Sequence, residues 1–142
     1  MKKVLYLQEE NYNWKSFEYE DIEDLKDEFI KKNISIGYDA RIGYGARIGY
    51  GARIGYDVSI GSDARIGSGA RILTSLYING SKHPLTYTGN KKVSIGCHNY
   101  DIDKWLENFE IIGKKEGYSD AQIKEYKTYL DGFKTFINNQ ND

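Results

Sequence analysis

The sequence predicts a mainly β chain with α-helical flanks, built around a short parallel β-helix. Three observations predict it. Ile recurs at positions 36, 42, 48, 54, 60, 66, 72 and 78 without a slip. Gly follows it at 37, 43, 49, 55, 61 and 67, and Ala40, Ala46, Ala52, Val58, Ala64, Ala70 and Leu76 stand four residues after each Ile. Between them lie Gly45, Gly51, Gly69, Asp39, Asp57 and Asp63, residue types that tolerate left-handed backbone.

The period has a physical reading. Ile and the following Ala are four residues apart, and the next Ile is two further on. Both spacings are even, so all these side chains share one face of extended chain. One flat strand of that length is excluded, because strands usually run about 3–10 residues. A bend every six residues that keeps Ile and Ala inside winds the chain into a coil. Successive turns of the coil then stack edge to edge at about 4.8 Å.

The units Ile-Gly-Tyr-Asp-Ala-Arg and Ile-Gly-Tyr-Gly-Ala-Arg resemble the hexapeptide repeat of the left-handed β-helix proteins. The resemblance implies left-handed winding, three hexapeptides per triangular turn and a homotrimer. Stacking at that interval places Ile36, Ile54 and Ile72 in one interior column, Ile42, Ile60 and Ile78 in a second, and Ile48 and Ile66 in a third.

Three segments are expected. Residues 1–33 hold a short strand near 3–7 and a helix over 20–32, with Ile22, Leu25, Phe29 and Ile30 on one side, that caps the open end of the coil. Residues 34–96 form the hexapeptide coil, with a projecting loop at 79–92 and a last rung at Val93–Gly96. Residues 97–142 form a helical hairpin. One helix of the hairpin carries Ile102, Trp105, Leu106 and Phe109 on a face. The other opens on a capping box, Ser119 with Gln122, and carries Ile123, Tyr126, Leu130, Phe133 and Ile137.

Composition narrows the function classes. The chain has 142 residues and a net charge of −1, so no overall field draws it to long nucleic acid. Its arginines nevertheless gather in the repeat. The single cysteine, Cys97, rules out an internal disulfide, fits a reducing compartment and reads as a small core residue. The first ten residues do not read as a signal peptide, and no apolar stretch is long enough for a membrane span. A soluble cytoplasmic protein without a membrane partner is expected. No spacing of His and Cys suits a metal, and no Walker-type loop is present.

Two groups of residues can carry function. The outward positions of the repeat hold Arg47 over Arg65 and Arg53 over Arg71, with Tyr38, Tyr44, Tyr50 and Tyr56 at another position. Stacked arginines repel, which favours an anion between them. Tyr beside Arg suits a nucleobase with a phosphate. The ligand-binding set is Arg47, Arg53, Arg65, Arg71, Tyr50, Tyr56, His83 and Tyr87. The same columns also read as a solvated sheet face or a trimer interface, with Asp39, Asp57 and Asp63 as partners.

The second candidate is His83, which would continue the Arg47–Arg65 column if the register ran on. His83-Pro84, followed by Val93-Ser94-Ile95-Gly96, resembles the loop of hexapeptide acetyltransferases acting on sugars. That resemblance implies acetyl-CoA as cofactor and His83 as general base. His83 also reads as an ordinary loop residue or as a ligand contact. The tail Trp105-Leu106-Glu107-Asn108-Phe109, with Ile112-Gly113 and Gly117-Tyr118-Ser119, is similar to small uncharacterised phage and prophage proteins. That likeness implies a viral accessory protein in a host cytoplasm, a class that includes traps for immune nucleotide signals.

Three functions follow, in order of expectation. The first is a non-catalytic trimer, with no cofactor, that holds a small anionic ligand such as a signalling nucleotide between subunits. The second is an acyltransferase using His83. The third is a structural or interaction module.

Overall fold

The computed structural model describes residues 3–140; residues 1–2 and 141–142 of the expected terminal segments lie outside them. The chain is mixed α/β, with many short strands and a C-terminal pair of helices. No described helix is long and apolar enough to cross a membrane.

The repeat forms seven two-residue strands: β3 (Ser35–Ile36), β4 (Arg41–Ile42), β5 (Arg47–Ile48), β6 (Arg53–Ile54), β7 (Ser59–Ile60), β8 (Arg65–Ile66) and β9 (Arg71–Ile72). Strands β3, β4, β5 and β6 each pair in parallel with the strand eighteen residues on. Ile36 lies against Ile54 and Ile54 against Ile72, Ile42 against Ile60, and Ile48 against Ile66. The chain therefore advances one turn per three hexapeptides and builds three parallel ladders. Ile48, Ile54, Ile60, Ile66 and Ile72 are buried, with Ala46, Ala52, Val58, Ala64 and Ala70 between them.

Two kinds of residue make the turns possible. Asp39, Asp57 and Asp63 have φ of 60, 58 and 61°, and Gly45, Gly51 and Gly69 have φ of 77, 77 and 70°. These are the left-handed corners the sequence marks. The Gly after each Ile does something else. A Cβ on Gly43 would lie 2.6 Å from the carbonyl carbon of Gly61 in the next turn, and Gly37 and Gly49 meet backbone in the same way. That glycine lets neighbouring turns approach to ladder distance.

The N-terminus joins the coil rather than merely covering it. Strands β1 (Lys3–Gln8) and β2 (Trp14–Tyr19) form an antiparallel hairpin, and β1 also pairs in parallel with β5. Leu7 lies against Ile48 and so heads the Ile48–Ile66 column. A short 3-10 turn, Ile22–Leu25, capped by Asp21, runs into α1 (Lys26–Lys31). Leu25 and Phe29 are buried, but Ile30, expected beside them, is 68% exposed.

Beyond Ile72 the expectation needs correcting. Residues 79–92 are not a projecting loop, and Val93–Gly96 is not a further parallel rung. Strands β10 (Tyr77–Asn79), β11 (Pro84–Tyr87), β12 (Lys92–Ile95) and β13 (His98–Asp101) form an antiparallel meander. Ile78 pairs with Leu85 and leaves the Ile42–Ile60 column. Leu73 stands where each earlier unit has a glycine, so a further turn could not stack on β9 as the earlier turns stack on one another.

The meander seals the last turn with side chains. Ser75 Oγ accepts from Ser59 N at 3.0 Å, and Thr86 Oγ1 accepts from Gly61 N at 2.9 Å. Ser94 Oγ accepts from Arg65 N at 3.0 Å and donates to Arg65 O at 3.1 Å. Thr86 and Ser94 are buried, so these hydroxyls satisfy strand edges that would otherwise lose water without a partner.

Helices α2 (Ile102–Lys115) and α3 (Asp120–Asn138) form the expected hairpin, with the Ser119–Gln122 capping box in place. Trp105, Phe109, Tyr126 and Phe133 are fully buried in it. Trp105 Nε1 donates to Val93 O at 2.7 Å, which fixes α2 to the meander.

Candidate functional site

The residue before each interior Ile points outward, because side chains alternate along a strand. Each side of the coil therefore shows a column. One side carries Tyr6, Arg47 and Arg65 in register. The second carries Ser35, Arg53 and Arg71. The third carries Arg41 and Ser59.

These arginines are not equivalent. Arg47 is half-buried, with its guanidinium 4.4 Å from the ring centre of Tyr6 and 5.7 Å from that of Trp14. It is already engaged by the N-terminal hairpin. Arg41 meets Asp57 at 3.6 Å and Ser59 Oγ at 3.3 Å. Arg53, Arg65 and Arg71 are exposed, and among the described residues no carboxylate lies within ion-pair distance of them. Of the three corner aspartates expected as partners, Asp57 alone reaches an arginine among the described residues.

The tyrosines also divide. Tyr38 and Tyr56 are 78% and 67% exposed and stand one turn apart at the corner that follows the Arg53 side. Tyr38 O accepts from Asp57 N at 2.9 Å, which holds the two corners together. Tyr50 is half-buried, its N–H donating to Gln8 Oε1 at 3.0 Å. Tyr87, expected to meet a ligand, is buried and packs edge-on against Phe136 at 5.3 Å. It belongs to the core between the meander and α3.

His83 lies elsewhere. It does not continue the Arg47–Arg65 column, because the chain has already left the coil. Its turn hangs on α3. Tyr126 Oη accepts from Lys82 N at 3.0 Å and His83 N at 2.6 Å, and donates to His83 O. His83 Nδ1 is 2.7 Å from Tyr118 Oη. The same turn is tied a second time, since Glu125 accepts from Ser81 and from Tyr129 and its carboxyl is thereby held below the usual range.

Both histidines border one small cleft between the meander and the hairpin. Its volume is about 40 Å³, with Trp105 and Phe109 at its floor. His98 Nε2 meets Glu116 Oε1 at 2.9 Å across it. Cys97, expected as a core residue, is exposed at its edge. That space suits about one or two water molecules rather than a sugar or an acyl chain. Among the described residues no group of His, Cys, Asp and Glu is placed to hold a metal.

Burial, then the neighbouring Lys82, holds the His83 imidazole below its ordinary value. The Tyr118 phenol is pushed far up, first by burial and then by Tyr126. His83 is thus neutral at pH 7 and acts as a clamp between turn and hairpin. The sign of the pH effect follows. As pH falls, the unfolded chain takes its proton near the ordinary value of about 6.5, before the folded one does. The stabilisation is complete above that value and declines as pH drops from it towards the depressed one. We expect His83→Gln to flatten the denaturation midpoint between pH 7.5 and 5.5. An unchanged slope would contradict this.

Some of the arrangement was not marked as functional by the sequence. Tyr6 and Trp14 meet Arg47 only because β1 joins the coil, and the signal for that was the alternating Leu5 and Leu7. Comparison with protein families, characterised proteins and solved structures finds no match to this chain.

Proposed function

We propose that this protein is a non-catalytic binding protein that holds a small phosphorylated ligand against the Arg53–Arg71 column. One observation carries the reading. Two exposed arginines, Arg53 and Arg71, lie in register across a parallel ladder, with no carboxylate partner among the described residues. Adjacent strands are about 4.8 Å apart, so their mutual repulsion is relieved by an oxyanion bridging both forks. Tyr38 and Tyr56 stand exposed at the adjoining corner and supply faces on which a nucleobase can stack, worth about 1–3 kcal/mol per base. A phosphorylated nucleotide fits both features. Arg65 gives a second cationic site on the neighbouring side.

The reading includes left-handed winding and a trimer. The first rests on the resemblance of the hexapeptide repeat to left-handed β-helix proteins, with which one turn per three hexapeptides agrees. The trimer rests on the repeat's resemblance, and it would set an arginine column of one copy beside the corner of the next. Acetyl transfer has less support, because His83 is tied to Tyr118 and faces a cleft too small for an acyl acceptor.

Thermal shift tests the proposal. ADP-ribose, a cyclic dinucleotide and ADP, each well above its dissociation constant, should raise the melting temperature. At about 100 times that constant the gain is about 2.7 kcal/mol. Inorganic pyrophosphate and adenosine, each carrying one of the two features, should both act more weakly than ADP. A shift by adenosine equal to that by ADP, or no shift with any phosphate, would overturn it.

A further inference from the structure

We propose that the open end of the coil is a docking groove for a basic, apolar segment of a partner protein. The two ends of the coil differ. At the far end the strand edges are closed by Ser75, Thr86 and Ser94. At the near end β1 covers β5 alone, and β3 and β4 remain the outermost strands of their ladders. An outermost strand presents unpaired N–H and C=O groups to whatever can pair with them.

Beside these edges lies a cavity of about 550 Å³, between α1 and the first turn. Its lining is mixed, with Phe29, Ile34 and Ile36 among polar and charged residues. Ile30 lines it at 68% exposure, although Phe29, the one other apolar residue of α1, is buried. A large isoleucine left in water beside a cleft of mixed apolar and polar lining is the pattern of a binding surface.

Charge selects the occupant. Asp21, Glu23 and Asp39 border the groove against one cation, Lys26. A second copy docking here by two-fold symmetry would bring acidic rim to acidic rim. A partner segment with lysine or arginine flanking apolar side chains meets the acidic residues and Phe29, Ile30, Ile34 and Ile36 together, and its backbone can extend β3 or β4. The groove shares Tyr38 with the proposed nucleotide site but contains none of the arginines, which lie on the outer faces of the coil.

The test uses the full-length protein and two dye-labelled twelve-residue peptides. One alternates Lys and Val; the other alternates Glu and Val. Fluorescence anisotropy should show saturable binding of the lysine peptide, weakened at least tenfold by Ile30→Lys and at least tenfold by Glu23→Lys. Both substitutions are on exposed side chains, and unchanged melting temperatures would confirm that the variants fold. The glutamate peptide should not bind. Equal binding of both peptides, no binding of the lysine peptide, or affinity unaffected by Ile30→Lys would each overturn the proposal. So would sedimentation showing self-association that Ile30→Lys abolishes, since the occupant would then be a second copy.

Discussion

Gly43→Ala is expected to cost about 3 kcal/mol, at the upper end of the usual range for overpacking. The added methyl group would meet the backbone of Gly61 and Ser62, not a side chain that can swing away. The neighbouring turn must move, and the hydrogen bond from Gly43 N to Ile60 O, at 2.8 Å, must lengthen. For a chain of this size the loss corresponds to a fall in melting temperature of about 10 °C. Gly37→Ala and Gly49→Ala should behave alike, since each also meets backbone. Gly67→Ala is the control. It holds the same place in the repeat, but nothing lies within 4 Å of a Cβ there, because no further turn stacks above it. It should be neutral or more stable by up to about 1 kcal/mol, through a less free unfolded chain. Melting curves of the two variants side by side decide the matter. Equal losses would mean that the glycines serve the bend rather than the stacking.

Arg53→Glu should separate stability from binding. Like charges directly opposite on a sheet are destabilising by roughly 0.2–1 kcal/mol. Replacing Arg53 puts a carboxylate opposite Arg71, so the melting temperature should hold or rise slightly. Binding of a phosphorylated ligand should fall by at least about 100-fold, or about 2.7 kcal/mol. The loss has two sources: a charge-assisted hydrogen bond disappears, and a negative charge now faces the phosphate. The double variant Arg53→Glu with Arg71→Glu restores like-charge repulsion with the opposite sign. It should lose the small stability gain and remain unable to bind. A protein in which these arginines merely solvate a sheet would show the stability changes alone.

The interior was legible because its signal is periodic and redundant. Ile at every sixth position, with Ala at an even offset, leaves one way to keep both inside. The pairs Arg47–Arg65 and Arg53–Arg71 then follow from the interval between stacked turns. The end of the coil was harder to place. Ile78 and His83 stay in phase with the repeat, and phase alone carries the reading too far. Leu73 occupies a glycine position and so bars a further turn on β9, but Gly61 is kept below the place where Ile78 leaves, and no change of residue type marks that departure. The path of β1 was legible only in part, since alternating Leu5 and Leu7 mark a strand with one buried face but do not name Arg47, forty-one residues from Tyr6, as its partner. The tyrosines were the least readable. Tyr38 and Tyr56 are in water, whereas Tyr87 and Tyr126 are buried. The difference arises from where the α2–α3 hairpin docks, which a list of residue types does not contain. His83 shows the same dependence, because Tyr118 and Tyr126 reach it from α3 and the turn before α3.

A calorimetric titration of ADP into the unaltered protein and into Arg53→Glu, at one low salt concentration, bears most directly on the arginine column. The prediction is saturable binding to the unaltered protein and none detectable to Arg53→Glu, with a melting temperature in the variant at least as high. Equal binding by both proteins, or by neither, would contradict it.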